Sequence, residues 1–196
     1  NKLQRVQYCV NLHVLQVADE MRSRGRVIGK FIPISPAFKP PRPPNADEDD
    51  NANLAWRRAM AESYNADRIN FKRSVRTRTQ LEAAEKFRDE SFYLCWSFDY
   101  RGRAYPIPAF LTPQDTDFGK SLLRFSEESS VTDEAELWLS FQVATTFGLD
   151  KCTLEDRHQW VSENIELITK VATDPVQYLS EWESLDQPLQ ILSMSD

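Results

Sequence analysis

Two prolines decide what the middle of this chain can be. Pro106-Ile107-Pro108 follows directly on Asp99-Tyr100-Arg101-Gly102-Arg103-Ala104-Tyr105. A proline lacks the amide proton, and its ring clashes with the preceding turn, so no helix runs through this stretch. The residues before it, Phe92-Tyr93-Leu94-Cys95-Trp96-Ser97-Phe98, are aromatic and strand-forming. A buried, rigid strand region is therefore expected across 92–111. It interrupts a chain whose other segments read as helices, so the fold class is α+β and mostly α-helical. The heptapeptide gathers one carboxylate, two guanidiniums, a glycine and two tyrosines. Arginine forks match phosphate geometry, and a glycine lets backbone approach a ligand closely. The plainer alternative is that Asp99 pairs with Arg101 or Arg103 to hold a turn.

On either side the spacing is helical. Leu3, Val6, Val10, Val14, Val17 and Met21 fall on one face and predict a helix over 1–23, closed by Gly25. Residues 31–50 hold six prolines and end in Asp47-Glu48-Asp49-Asp50, which predicts an extended, solvated connector. A second helix is expected over 51–70, capped by Asn51 or Asn53, and a third from Thr79 to Phe87. Between them lie Arg68, Lys72, Arg73, Arg76 and Arg78, with Phe71 interleaved. Arg68, Lys72 and Arg76 share a face at four-residue spacing, where like charges repel and an anion is a natural partner. Four more helices are expected: Phe118 to Phe125; Asp133 to Phe147, with Leu137, Leu139, Phe141 and Val143 inside; Thr153 to Val171, with a Thr153–Asp156 capping box; and one opened by Asp174-Pro175.

The net charge of −6 over 196 residues argues against a wholly basic nucleic-acid binder. Residues 56–78 nevertheless carry seven Lys/Arg against Glu62 and Asp67, a local +5, and local charge is what a nucleic-acid groove needs. The three cysteines and two histidines are scattered without metal-ligand spacing, which fits a reducing compartment and no metal site. No apolar run reaches the ~18 residues that would span a membrane. No carboxylate pair is placed as general acid and base, and no glycine-rich phosphate loop exists. The chain opens on Asn1 and ends inside an apolar pattern, so a piece of a larger protein is expected.

The segment from Phe98 to Pro106 resembles the Asp-x-x-Gly-Arg motif of the single-subunit DNA-dependent RNA polymerases of bacteriophages and mitochondria. Ala55-Trp56-Arg57-Arg58-Ala59, Tyr64, Lys72-Arg73 and Glu85-Lys86-Phe87 resemble that family upstream of the motif. Thr112-Pro113-Gln114, Lys120-Ser121-Leu122-Leu123 and Glu163-Asn164-Ile165 do so downstream. The resemblance is close over 51–196 and loose over 1–50.

By this resemblance residues 1–88 are a long-helix thumb and residues 89–196 the first segment of a polymerase palm. The implied reaction is template-directed nucleotidyl transfer by two metal ions, Mg²⁺ in the intact enzyme. The family's two metal-binding aspartates and the lysine and tyrosine of its fingers helix have no counterpart in this sequence. No catalytic residue or metal ligand is therefore expected here, and the segment alone is expected to be inactive. The resemblance places Asp99, Arg101, Gly102, Arg103, Tyr105 and Lys120 against the template and RNA–DNA hybrid, with Asp99 orienting an arginine. In the thumb, Lys72, Arg73 and Arg76 become the backbone contacts. Expected partners are the DNA template, RNA product, NTPs and the remainder of the polymerase, in the same or a second chain, with no membrane. The setting would be the cytoplasm of an infected bacterium, or the mitochondrial matrix or plastid. The alternatives are a non-catalytic nucleic-acid-binding or regulatory helical module that grips single strands, and a purely structural scaffold.

Overall fold

The computed structural model describes residues 2–44, 46 and 49–194. Strand β1 (Gln7–Val10) is followed by helices α1 (Leu12–Ser23) and α2 (Asp50–Lys86), then β2 (Phe92–Tyr93), β3 (Trp96–Phe98) and β4 (Ala104–Pro106). Next come α3 (Asp117–Ser121), β5 (Leu123–Phe125), α4 (Asp133–Thr146), α5 (Leu154–Glu163), α6 (Ile165–Thr173), α7 (Leu179–Trp182) and α8 (Pro188–Leu192). With about 52% of the chain helical and only small antiparallel sheets, the expected α+β class holds.

The single amino-terminal helix does not. Leu3–Arg5 make one 3-10 turn, and β1 occupies the next residues. Tyr8 and Val10 are buried while Gln7 and Cys9 are half-buried, the period of two that suits a strand. β1 is the central strand of a three-stranded antiparallel sheet, paired with β2 and β5. Tyr8 sits between the rings of Phe92 and Phe125, 6.4 and 5.5 Å away. This pairing outweighs the helical spacing of Leu3, Val6 and Val10. Asn11 then starts α1 by accepting the Val14 amide at 3.1 Å. Gly25, with φ +64°, ends it as expected. Asn1 lies outside the described residues.

The two helices expected over 51–70 and 79–87 are one. α2 runs unbroken for 37 residues, roughly 55 Å at 1.5 Å per residue. No glycine or proline occurs between Pro44 and Gly102, so nothing interrupts it. Its cap is Asp49, whose carboxylate accepts the Asn51 and Ala52 amides, rather than Asn51 or Asn53.

The proline-rich segment is not a free connector. Residues 32–40 lie along α2 as a strap and are hydrogen-bonded to it throughout their length. Of the acidic run that follows, Asp47 and Glu48 lie outside the described residues.

Further along, short-range pairing corrects several boundaries. The helix expected over 118–125 stops at Ser121, because Leu123–Phe125 join β1. The helix expected over 153–171 breaks at Asn164, whose side chain donates to the Trp160 carbonyl at 2.8 Å. Its capping box is present. Asp174-Pro175 opens a turn instead of a helix, with Asp174 accepting the Gln177 amide at 2.9 Å. In α4 the buried positions are Ser140, Val143, Ala144 and Thr146, while Leu139 is exposed. Residues 137, 139, 141 and 143 step by two and cannot share one helix face.

One core takes residues from both halves of the chain. Val14, Val17 and Met21 of α1 and Leu81 and Ala84 of α2 meet Phe118, Leu122, Trp182, Leu189 and Ile191. The Phe31 and Phe118 rings meet edge-on at 4.9 Å, and the buried Trp182 indole donates to the Pro175 carbonyl at 2.8 Å. Among the described residues no helix is long and apolar enough to cross a membrane.

Candidate nucleic-acid interface

The arginine-rich motif is the tip of an exposed hairpin, not a buried strand. β3 and β4 pair antiparallel with Phe98 opposite Ala104, and residues 99–103 make the turn. The Asp99 carboxylate accepts the amides of Arg101 and Arg103 at 2.9 and 2.8 Å. Its own amide donates to the Arg103 carbonyl at 2.9 Å, and its carbonyl accepts the Gly102 amide at 3.0 Å. Gly102 holds φ +78° with open space where a Cβ would stand, so glycine is needed there for the backbone angle.

Asp99 thus orients the backbone around the arginines. Its other carboxylate oxygen lies 3.9 Å from Arg101 Nε, a loose pair in solvent worth little. The Arg103 guanidinium makes no ion pair among the described residues. Arg101 lies 5.0 Å above the ring of Tyr100, which is 91% exposed. Phe98, Tyr105 and Ile107 are exposed beside it. The hairpin therefore presents an apolar and aromatic surface carrying two cations, a combination suited to stacking and phosphate contact.

The basic stretch of α2 divides into two groups. Arg68, Lys72 and Arg73 point into solvent and make no ion pair among the described residues. Arg76 and Arg78 are engaged. Arg78 covers the Phe71 ring at 4.9 Å and approaches Glu82 at 3.5 Å. Arg76 pairs with Asp115 at 2.5 Å and lies 5.8 Å from the Phe110 ring.

Asp115 was not singled out from the sequence, and it organises this region. Its side chain is 0% exposed, whereas that of Arg76 is 53% exposed. The carboxylate also accepts the Thr116 amide at 2.7 Å. Gly119 packs so closely that a Cβ there would come 2.2 Å from Asp115 Oδ2. That oxygen is buried without a hydrogen-bond partner.

The loop 110–116 joins all three candidate regions. Gln114 donates to the Ala104 carbonyl at 2.9 Å and so holds the hairpin. Phe110 and Asp115 hold Arg76, and Thr116 accepts from Gln80 of α2 at 2.9 Å. Thr116 also caps α3, which carries Lys120. Lys120 is half-buried and lines an open cleft of about 530 Å³ with Tyr8, Leu123, Phe125, Leu139 and Met194. One turn before Lys120 on α3, Asp117 accepts the Leu189 and Gln190 amides of α8 at 2.9 and 3.2 Å. Burial raises its pKa above the ordinary carboxylate value, while those bonds and the Lys120 charge pull it back.

The site so defined is a surface of exposed arginines, Lys72 and aromatic rings on a helical frame. A family model described as DNA-dependent RNA polymerase matches residues 129–195. The mitochondrial DNA-directed RNA polymerase of Neurospora crassa is 29% identical over 184 residues, covering 94% of this chain and 13% of that protein. T7 RNA polymerase of Escherichia phage T7 is 29% identical over 195 residues, covering 98% of this chain and 22% of that protein. DNA-directed RNA polymerase 1, mitochondrial, of Arabidopsis thaliana is 28% identical over 187 residues, covering 94% and 19%. The chain is similar to DNA-directed RNA polymerases of a bacteriophage and of mitochondria, and it spans less than a quarter of the length of these three.

Proposed function

We propose that this chain is the thumb and the first palm segment of a DNA-directed RNA polymerase, and that it grips the template and the RNA–DNA hybrid. The observation that carries the reading is the hairpin turn. Asp99 is taken up by backbone amides, so Arg101 keeps only a loose ion pair and Arg103 makes none among the described residues. The ordered likeness to polymerases over more than nine-tenths of the chain supports it. Arg101, Arg103 and Tyr105 contact the strands at the hairpin, Gly102 allows their close approach, and Lys120 lies behind them. Lys72 and Arg73, with Arg68, hold phosphates along α2. Arg76, tied to Asp115, serves first to join α2 to the loop 110–116, with its outer face left for the strands.

The proposed whole-protein reaction is Mg²⁺-dependent nucleotidyl transfer from NTPs, in a phage-infected bacterium, a mitochondrion or a plastid. The metal does not fit residues of this segment. The Asp99 carboxylate is committed to two amides, and no group of three metal-ligating side chains occurs among the described residues.

The test is the salt dependence of hybrid binding by the full-length protein. Replacing Lys72 and Arg73 together by alanine should weaken binding equally for all sequences. It should also flatten the slope of log K against log salt by about one unit per lost phosphate contact. An unchanged slope would refute the phosphate role. Sequence-selective loss would favour a reader of single strands instead.

A further inference from the structure

The outer half of α2 should not be straight on its own merits. Between Asp50 and Arg73 its only buried residue is Ser63. Leu54, Tyr64, Ile69 and Phe71 stay exposed, so this half has little core packing to hold it, and helix propensity alone is marginal in water. Its support comes from the strap.

The strap runs antiparallel to α2. Ile32 N–H donates to Thr77 Oγ1 at 3.0 Å, and Asn70 Nδ2 donates to the Ser35 carbonyl at 3.1 Å. Ala37 N–H donates to Asp67 at 2.6 Å, Ser63 Oγ donates to the Phe38 carbonyl at 2.5 Å, and the Trp56 indole donates to the Pro40 carbonyl at 3.1 Å. Lys39 adds an ion pair with Asp67 at 3.6 Å and lies 5.0 Å above the Tyr64 ring.

The helix side of this seam is periodic. Trp56, Ser63, Asn70 and Thr77 recur every seven residues, which keeps them within a narrow stripe. The strap side is extended and proline-rich. Such backbone makes no internal hydrogen bonds, so its carbonyls are free for α2, and its prolines reduce the entropy lost on ordering. The strap is somewhat shorter than the stretch it serves: eight residues at about 3.1 Å each span roughly 25 Å, against roughly 32 Å from Trp56 to Thr77. At 3.6 residues per turn, Arg68, Lys72 and Arg76 lie about 140°, 180° and 220° around the helix from Ser63. The seam therefore lies opposite the basic row and leaves it open.

We propose that residues 32–40 are a brace whose function is to hold the outer half of α2 rigid, so that Arg68 and Lys72 meet the hybrid as a preorganised row. Ser63, Asp67 and Asn70 are its positioning residues and touch no nucleic acid. The proposal rests on the hybrid-gripping reading above.

The experiment compares two variants of the full-length polymerase. One is Ser63→Ala/Asp67→Ala/Asn70→Ala, which cuts the brace. The other is Arg68→Ala/Lys72→Ala, which removes charge. Three quantities are read: the distribution of distances between spin labels at Leu54 and Ile165, the dissociation rate from an RNA–DNA hybrid, and the salt slope. Cutting the brace should broaden the distances and speed dissociation about tenfold or more, with the slope unchanged because every phosphate contact remains. Removing charge should flatten the slope and leave the distances narrow.

Unchanged distances in the brace variant would overturn the proposal. So would broadened distances with unchanged dissociation, if the charge variant still dissociates faster. If neither variant alters dissociation, the hybrid reading itself is wrong, and the brace loses its role with it. Trp56→Phe removes a single strap bond and should give a smaller shift in the same direction, which keeps the test valid if the triple variant folds poorly.

Discussion

The hairpin and the long helix both offer arginines to solvent, but they hold them there by opposite means. At the hairpin everything is local: Asp99 binds the amides two and four residues ahead, and Gly102 supplies the turn angle. Along α2 everything is distant: the strap bonds join residues 16 to 45 positions apart, and the Arg76–Asp115 pair spans 39. A local turn fixes direction with few residues and little burial. A projecting helix has no such device, so its base is latched to the core and its outer half is braced. The variants below break that contrast or sharpen it, in order of decreasing effect.

The base of α2 is the place to break it most heavily. Arg76→Ala leaves Asp115 buried and unpaired, and should lower stability by about 3 kcal/mol. Gly119→Ala drives a Cβ into the same carboxylate and should cost about 1–3 kcal/mol. The two should be non-additive, because both act through Asp115. Arg101→Ala and Arg103→Ala, by contrast, should stay within about 0.5 kcal/mol of the parent. Thermal melts of the four variants, and of Arg76→Ala/Gly119→Ala together, decide it. Equal destabilisation by Arg103→Ala and Arg76→Ala would erase the difference between the two regions.

Function should divide the other way. If the chain grips a hybrid as proposed, Arg103→Ala in the full-length protein should reduce hybrid binding and primer extension at least tenfold, about 1.4 kcal/mol. Arg103→Lys should also be poor, since a point charge lacks the bidentate fork. Extension at the parental rate by Arg103→Lys would mean that the guanidinium at the tip has no geometric role.

Asp99 tests the local device itself. Asp99→Ala removes both acceptor bonds and should cost the turn about 1–2 kcal/mol, seen as faster hydrogen exchange at the Arg101 and Arg103 amides. Asp99→Asn keeps an acceptor oxygen and should exchange nearly as slowly as the parent. If Asp99→Asn behaves like Asp99→Ala, the charge matters more than the hydrogen bonds.

The same contrast governs what could be read before the structure. The plainer reading of the motif, Asp99 pairing with Arg101 or Arg103 to hold a turn, came from five adjacent residues; the turn forms, but the backbone amides of those residues hold it, not their guanidiniums. Caps and stops were legible for the same reason: Gly25, the Thr153–Asp156 box and the α4 boundaries depend on neighbours. What failed depends on partners far away. β1 was hidden inside a helical spacing because its partners lie some 85 and 115 residues on. The brace was hidden because Ser63, Asp67 and Asn70 look like ordinary polar helix surface until a proline-rich segment is laid over them. Asp115 was invisible as a site, since its partner is an arginine read as a ligand for phosphate. The Gly119 beside it was the available signal, a glycine inside a capped helix where nothing in the turn asks for one.

The smallest effect expected is the pH response of Asp117, the carboxylate that joins α3 to α8 across more than 70 residues. Burial raises its pKa in the folded chain above the unfolded value, against the opposing pull of the Leu189 and Gln190 bonds and Lys120. Between those two pKa values the folded state binds more protons than the unfolded one, so stability falls as pH rises through that window. Its contribution is fully present below the unfolded pKa and is lost as pH rises through the folded one. That sign is opposite to the acid loosening expected of an exposed, ion-paired carboxylate. Asp117→Asn keeps an acceptor for α8 and cannot titrate. The melting temperature of the parent minus that of Asp117→Asn, measured from neutral pH down to about pH 4, should therefore rise toward acid. A difference that shrinks toward acid would mean that the α8 amides outweigh burial and hold Asp117 charged.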